Sequence, residues 1–161
     1  MDILNILNES GELSSEQIES VKKFTYKWDV SYFQTILETR IVSEARLADC
    51  LSEQLKLDRI FSIDQSDFGP QAFGFISYKH AKSLEMMPLG ITEDGEYHIV
   101  VSDPTNDAML EFLEKVITSS KIKLSVSERR IVLKSIDEFY PTGLQVPSLV
   151  RFGTDMRGDG E

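Results

Sequence analysis

The sequence predicts an α+β fold, in which an N-terminal helical subdomain (residues 1–57) precedes a small α-β-β-α-β-α subdomain (58–141) and a flexible tail (142–161). Two observations lead to this prediction. Capped, amphipathic helical patterns fill the first part of the chain, whereas strand-like runs around an Asp-Gly turn come only after residue 85. The 161 residues are 41% hydrophobic and 27% charged, as in ordinary folded proteins, and this length allows either one good-sized core or two small ones.

The clearest helix start of the first subdomain lies in the stretch ELSSEQIESVKKF. Ser14 can cap this helix, Gln17 can bond back to the cap, and Leu13 can pack against Ile18 as a hydrophobic staple. Helical spacing then predicts one apolar face, formed by Ile18, Val21, Phe24 and Trp28.

The stretch IVSEARLADCLSEQLK repeats this design, with Ser43 as the cap and Val42 and Leu47 as the staple. One side of this helix carries Leu47, Cys50, Leu51 and Gln54. The two starts align at an offset of 29 residues (42 − 13 = 29), so ILNESGELSSEQI and TILETRIVSEARL read as two copies of a helix-turn-helix unit. The alternative is that any two capped amphipathic helices align this well.

A change of pattern after KLDR marks the seam between the subdomains, because Gly69, Pro70 and Gly74 interrupt a stretch without long helical periodicity. A short helix around SYKHAKSLE leads into MMPLGITEDGEYHIVVSDPTN. This second stretch predicts a strand, a tight turn at Asp94-Gly95 and another strand.

The end of this hairpin predicts a corner that opens the next helix. At Asp103-Pro104, proline suits the first helical turn, and Asp103, Thr105 or Asn106 can accept bonds from free helix amides. The helix TNDAMLEFLEKVIT then places Met109, Leu110, Leu113, Val116 and Ile117 on one face. The strand KIKLSVS and a last helix, capped by Ser127 and closed by Pro141, complete the subdomain. The inward side chains of that helix are Val132, Ile136, Phe139 and Tyr140.

The charge of the chain restricts its partners. With 27 acidic and 17 basic residues the formal charge is −10, which disfavours binding to nucleic acids or to an anionic bilayer. Cys50 is the single cysteine and cannot form an internal disulfide, and the chain does not open with a signal peptide. No apolar run reaches the roughly 20 residues that span a membrane. We therefore expect a cytoplasmic protein, for which any association with a membrane would have to come through a partner.

Motifs for catalysis or cofactor binding are not found. There is no phosphate-binding Gly-x-x-x-x-Gly-Lys-Ser/Thr, and one cysteine with two histidines cannot supply a zinc site. Cys50 lies between leucines on an apolar helix face, which predicts a core residue rather than a nucleophile. For His80 and His98 we expect structural roles. The sequence therefore predicts that the protein is not an enzyme and has no metal and no catalytic cofactor.

A wider pattern resembles the N-terminal domain of the ATPases of type II secretion and type IV pilus assembly, the GspE and PilB family. It consists of two helical repeats, then SYKHAKSLEMMPLGITEDGEYHIVVSDPTNDAMLEFLEKV, then IKLSVSERRIVLKSIDEFY. The resemblance covers about residues 1–140 and is most specific from Met86 to Asn106. It depends on Pro88-Leu89, on Asp103-Pro104-Thr105-Asn106 after a strand, and on Tyr140 at the end of the last helix. The ATPase half, with its Walker motifs, is not in the sequence, and we expect a stand-alone version of the domain rather than an excised piece of the motor.

The resemblance implies a docking module whose helical repeats, in some members, also bind cyclic di-GMP. The ligand-binding repeat begins Arg-Leu-Gly, has a glycine in its middle and ends Leu-x-x-x-Leu-x-x-Gln. The second repeat of this chain keeps Leu47, Leu51 and Gln54 at that spacing. It begins Ser31-Tyr32-Phe33, however, and has Arg40 where the glycine is expected.

The first repeat keeps Gly11 and Ile18, but Asp2-Ile3-Leu4 replaces Arg-Leu-Gly, and Lys22 and Thr25 replace the later leucine and glutamine. Without the two leading arginines the repeats lack the planar cations that would stack on guanine or pair with phosphate. A local positive patch can still compensate for the overall charge. The candidate residues for cyclic di-GMP are Arg40, Arg46 and Gln54.

The leading functional hypothesis is a non-catalytic adapter that binds a cytoplasmic protein of a secretion, pilus or motility machine. The alternative is a cyclic di-GMP receptor that acts on the same kind of machine, and a third is a purely structural part of a larger assembly. An adapter needs exposed apolar side chains, for which Trp28, Tyr32 and Phe33 are the candidates. The opposite interpretation of these three residues is that they belong to the core.

Overall fold

The computed structural model describes residues 2–117 and 121–141, and the predicted tail at 142–161 lies outside them. The first part consists of four helices, α1 (Ile3–Glu9), α2 (Ser15–Trp28), α3 (Tyr32–Thr39) and α4 (Glu44–Leu55). Their apolar sides meet in one core, whose most deeply buried members include Leu4, Leu7, Ile36 and Leu51.

Each of these helices begins at a polar side chain that accepts a hydrogen bond from a free backbone amide; the four are Asp2, Ser14, Ser31 and Ser43. The predicted capping box is confirmed, because Ser14 Oγ accepts from Gln17 N at 3.2 Å and Gln17 Oε1 accepts from Ser14 N at 2.9 Å. The cap at Ser43 is confirmed too, since its Oγ accepts from the amide of Arg46 at 3.2 Å.

The helices recur at the offset found in the sequence. α1 and α3 begin at residues 3 and 32, and α2 and α4 begin at 15 and 44, so each pair starts 29 residues apart. A positive φ occurs at equivalent places in both turns, 83° at Gly11 and 55° at Arg40. Arg40 therefore holds a left-handed conformation, which costs a non-glycine residue about 1–2 kcal/mol.

The second part is built on a four-stranded sheet with the strand order β1-β4-β3-β2. The strands are β1 (Asp58–Arg59), β2 (Met86–Ile91), β3 (Glu96–Val101) and β4 (Lys121–Val126). β2 and β3 are antiparallel, whereas β4 runs parallel to β3 on one side and to β1 on the other. The sequence does not predict β1, because two residues carry no periodicity and pair only once the fold has formed.

Three helices accompany the sheet, α5 (Tyr78–Leu84), α6 (Asp107–Val116) and α7 (Arg129–Phe139), so the predicted α+β fold class is confirmed. A second core joins sheet and helices, and its fully buried members include Met86, Tyr97, Ile99, Met109, Val132 and Ile136. The predicted turn at Asp94-Gly95 lies in the right place, but the loop has four residues, 92–95, and in the 94–95 pair only Gly95 has a positive φ.

The predicted cap of the last helix is wrong. α7 begins at Arg129 with Glu128 in the cap position. The side chain of Glu128 does not cap the helix, and the free amide of Arg130 donates instead to Glu44 Oε1 of α4 at 3.1 Å. Ser127 is used by the sheet instead, because its amide donates to Val101 O at 3.0 Å and its hydroxyl donates to Ile60 O at 2.7 Å.

The predicted place of Pro104 in the first turn of a helix is also wrong. Pro104 lies in a turn closed by a 3.2 Å bond from Asn106 N to Asp103 O, and α6 begins only at Asp107. Asn106, one of the proposed acceptors, is the residue that caps α6, since its Oδ1 accepts from Met109 N at 3.2 Å.

The segment between β1 and α5 covers the outer edge of β2. Gly69 N donates to Leu89 O at 2.7 Å, and Ile91 N donates to Pro70 O at 2.8 Å. The approach is close enough that a Cβ atom at Gly90, whose φ is 104°, would lie 2.5 Å from Pro70 O. This edge of the sheet is therefore closed by the protein's own backbone.

Arg59 connects the two subdomains. Its Nε donates to Asp49 Oδ1 of α4 at 2.8 Å, and its Nη2 lies 3.3 Å from Glu128 Oε2 at the start of α7. Its Nη1 donates to Ile60 O at 2.6 Å, and the side chain is only 10% exposed. The helical core also takes in Val126 of β4, so the junction combines apolar and charged contacts.

Candidate functional site

An open groove of about 640 Å³ lies between the end of α2 and the start of α3; we call it the α2–α3 groove. Its lining residues are Lys22, Thr25, Tyr26, Lys27, Asp29, Val30 and Tyr32. Thr25 joins the two helices there, because its Oγ1 lies 2.7 Å from the Oγ1 of the buried Thr35. Both repeats contribute, since Lys22 and Thr25 belong to the first and Tyr32 to the second.

Two aromatic side chains at the end of α2 are widely exposed. Tyr26 is 91% exposed and Trp28 is 58% exposed. The Trp28 ring lies 6.1 Å from that of Phe24, and Lys27 Nζ lies 5.5 Å from the Trp28 centroid. Trp28, one of the residues predicted for a partner interface, is therefore available on the surface.

The other two predicted interface residues have different positions. Tyr32 is half-buried, packs against the helical core and lines the α2–α3 groove. Phe33 is only 7% exposed and belongs to that core, so its prediction as an exposed aromatic side chain is wrong. The reason is helical geometry: on α3, Phe33 lies three residues before Ile36 on the inward face.

The three residues predicted for cyclic di-GMP do not line the groove. Arg40 is the exposed residue that follows α3, and Arg46, in the first turn of α4, is ion-paired with Glu12. Gln54 is exposed in the last turn of α4, about 12 Å along the helix axis from Arg46 at 1.5 Å per residue. That these residues form a ligand site stays a prediction.

Sequence reasoning did not select Tyr26, the most exposed aromatic side chain of the described residues. A signal for it exists, because Tyr26 falls between Phe24 and Trp28 and thus off the apolar stripe of α2. An aromatic side chain on a polar helix face has no core to enter, which makes it a candidate for binding.

A second cavity, of about 440 Å³, lies between the subdomains and is lined by the starts of α1 and α3 and the loop after β3. Its polar groups bond to one another: Glu85 accepts from Ser102 Oγ at 2.8 Å and from Arg129 Nε at 2.9 Å. Burial raises the pKa of Asp103, whose carboxylate accepts the amide and hydroxyl of Thr105. These internal bonds leave few groups directed at a ligand.

The nucleophile and base candidates have structural roles. Cys50 is confirmed as a core residue, and burial raises the pKa of its thiol, with Ser10 Oγ 3.1 Å from Sγ. His98 Nε2 lies 2.7 Å from Ser125 Oγ, and burial lowers its pKa. His80 Nδ1 lies 2.9 Å from Ser77 Oγ at the start of α5.

Within residues 2–117 and 121–141, no three His, Cys, Asp or Glu side chains are grouped so as to hold a metal ion. Among the helices of the same residues, none has the length and apolar character needed to cross a membrane.

Solved structures share this fold. MshE with cdg (cyclic di-GMP) is 20% identical to this chain and superimposes with a TM-score of 0.69, over 87% of this chain and 99% of that one. The N-terminal domain of XpsE is also 20% identical, with a TM-score of 0.66 over 86% and 94%. A second crystal form of the XpsE domain is 19% identical, with a TM-score of 0.57 over 86% of this chain and 94% of that one. None of the curated proteins compared with the chain matches it.

The sequence also matches a defined domain family, MshEN, over residues 55–146, which is more than half of the chain. The matched region contains the stretch from Met86 to Asn106 on which the resemblance was most specific, and the structural likeness extends the shared fold to most of the chain, well beyond residues 55–146. The resemblance to N-terminal domains of secretion ATPases is thereby confirmed, and the chain belongs to the MshEN domain family.

Proposed function

We propose that this MshEN domain is a non-catalytic adapter that docks on a cytoplasmic protein of a bacterial secretion, type IV pilus or motility machine. The supporting observation is the exposed aromatic surface formed by Tyr26 and Trp28 beside Lys27. Tyrosine and tryptophan contribute strongly to interfaces, because they bury a large area at a low cost in side-chain entropy. The domain acts in the cytoplasm and reaches the inner membrane through its partner.

The buried or hydrogen-bonded state of Cys50, His80 and His98 supports a role without catalysis. A nucleophile needs an adjacent base and access to substrate, and Cys50 has a hydroxyl beside it and 1% exposure. The domain thus acts by binding.

Isothermal titration against the cytoplasmic domains of secretion and pilus platform proteins tests the docking surface. Tyr26→Ala together with Trp28→Ala should weaken binding by about 100-fold or more, since hot-spot residues contribute about 2 kcal/mol each. Phe61→Ala is the matched control and should leave the affinity unchanged, because the Phe61 side chain is aromatic and 67% exposed but lies outside this surface.

The melting temperature should stay unchanged in the Tyr26 and Trp28 variants, since both side chains are mostly in solvent. Phe33→Ala, in contrast, should destabilise the fold by about 3–5 kcal/mol as a core truncation. Unaltered affinity of the double variant for a platform protein that binds the parent chain would refute this docking surface.

The α2–α3 groove favours a second candidate function, a receptor for cyclic di-GMP. Tyr26 and Tyr32 can stack on a guanine ring, and Lys22 and Lys27 can pair with phosphate. The similar MshE is solved with this ligand. Against it, Asp2 and Ser31 occupy the positions of the two leading arginines, so the planar cations are missing.

Calorimetric titration with cyclic di-GMP separates the two functions. Heat at one-to-one stoichiometry that is lost in Lys22→Glu supports a receptor in the groove, whereas loss in Gln54→Ala alone supports the site predicted from the repeats. A flat trace at high micromolar ligand rejects the receptor and leaves protein docking.

A further inference from the structure

The outer edge of β4 is covered over only part of its length. β4 runs from Lys121 to Val126, but β1 pairs only with Ser125 and Val126. Among residues 2–117 and 121–141, no other strand pairs with this edge. Residues 121–123 therefore have a partner strand on the β3 side alone.

Backbone directions along β4 follow from two hydrogen bonds. Ile60 N donates to Val126 O on the outer side, whereas Ser127 N donates to Val101 O of β3. Because backbone groups of successive strand residues point to opposite sides, the even-numbered residues face outwards. The amide and carbonyl of Ile122 therefore point to the open edge.

The side chains of β4 alternate between two kinds of surface. Ile122 and Leu124 are half-buried, on the face that carries their register partners Tyr97 and Ile99. Lys121 and Lys123 lie on the opposite face by the alternation of the strand. A strand added at this edge would therefore meet apolar side chains on one face and lysines on the other.

Strand β1, which pairs with the end of this edge, shows that an acidic side chain can pair with a lysine of β4. Asp58 of β1 lies 3.5 Å from Lys123 Nζ through its Oδ2. Pairing with a second copy of β4 is disfavoured, because lysines of the two strands would become cross-strand neighbours of like charge. Acidic side chains complement the edge.

We propose that the edge from Lys121 to Leu124 binds an extended segment of a partner protein in which apolar and acidic side chains alternate. Its backbone bonds with Ile122, its apolar side chains cover Ile122 and Leu124, and its acids pair with Lys121 and Lys123. This is strand addition to a sheet, in which main-chain bonds supply affinity and alternate side chains supply specificity. The surface is distinct from the α2–α3 groove.

The test uses the full chain, labelled with nitrogen-15, and a synthetic peptide of about ten residues that alternates valine and glutamate. The peptide should shift the amide signals of Ile122 and Leu124 and slow exchange of the Ile122 amide by about tenfold or more. A matched peptide that alternates valine and lysine should leave the spectrum unchanged.

Two variants of one position isolate the backbone contribution. Ile122→Pro removes the outward amide without removing a bond to β3, and should weaken binding of the valine–glutamate peptide about tenfold, the value of one hydrogen bond. Ile122→Thr keeps that amide and should bind more tightly than Ile122→Pro. If the proline variant does not fold, Lys121→Glu replaces it and should shift preference towards the valine–lysine peptide.

Four results would overturn the proposal. They are equal binding of the two peptides by the parent chain, no shift at about 1 mM valine–glutamate peptide, unchanged binding in the variants, and an Ile122 amide already protected without peptide. Protection that rises with protein concentration would assign the edge to a second copy, and protection independent of concentration would assign it to another segment of this chain.

Discussion

Replacing Arg59 by alanine tests whether a single charged side chain holds the two subdomains together. Arg59 is 10% exposed and donates to Asp49, Glu128 and the carbonyl of Ile60. The substitution removes all three bonds, and it leaves the Glu128 carboxylate, 13% exposed, without one of its two cations.

The size of the expected loss of stability follows from how exposed the partners of Arg59 are. Removing one member of a buried ion pair costs about 3–5 kcal/mol. The cost is lower here, because Asp49 is 36% exposed and can be hydrated, and because Glu128 keeps Arg130 Nε at 3.1 Å. We therefore expect Arg59→Ala to lower the free energy of unfolding by about 2–3 kcal/mol.

Urea unfolding followed by circular dichroism measures this loss. Lys82→Ala is the control, since it breaks an ion pair with Asp137 whose side chains are 39% and 52% exposed, and it should cost less than about 1 kcal/mol. Arg59→Met keeps most of the apolar stem and separates packing from charge. A loss in Arg59→Ala no greater than in Lys82→Ala would refute the view that Arg59 holds the junction.

Three further predictions concern local structure. Gly90→Ala should destabilise the fold by about 3 kcal/mol or more in urea, because its φ is 104° and the new Cβ would lie 2.5 Å from Pro70 O; a loss below about 1 kcal/mol would contradict this geometry. Arg40→Gly should raise the melting temperature, with a gain of about 0.5–1 kcal/mol, by relieving the left-handed conformation, while Glu38→Gly in the helix should lower it. Burial lowers the pKa of His98 below its ordinary 6.5, with Lys123 acting in the same direction and Asp58 against it. The unfolded state therefore binds more protons, stability should fall as the pH drops through 6.5, and thermal melts of His98→Gln should lack this part of the slope.

The candidate site was predictable in part. Trp28 was predicted as a surface candidate, and it is exposed. Helical spacing alone could not decide this, because it places Trp28 on the apolar face of α2 and does not show that the last turn of α2 extends beyond the core. Phe33 was selected beside it and is buried, because the direction of α3 against α1 decides which side of that helix faces inward. Tyr26 was missed, although its place off the apolar stripe was visible.

Features that depend on neighbouring residues could be predicted from the linear pattern alone. The serine caps, the helix starts 29 residues apart and the turn at Gly95 follow from side chains and backbone preferences within a few residues. These interactions are nearly independent of the rest of the chain, so a linear pattern specifies them.

Contacts between residues far apart in the chain became visible in the folded protein and could not be predicted beforehand. β1 exists because β4 offers it a parallel edge, Ser127 bonds to Ile60 instead of capping α7, and Arg59 finds Asp49 and Glu128. Each of these contacts joins residues 10 to 69 positions apart. Their free energy depends on burial and distance, which arise from the packing of the whole chain and leave no periodic signal in the sequence.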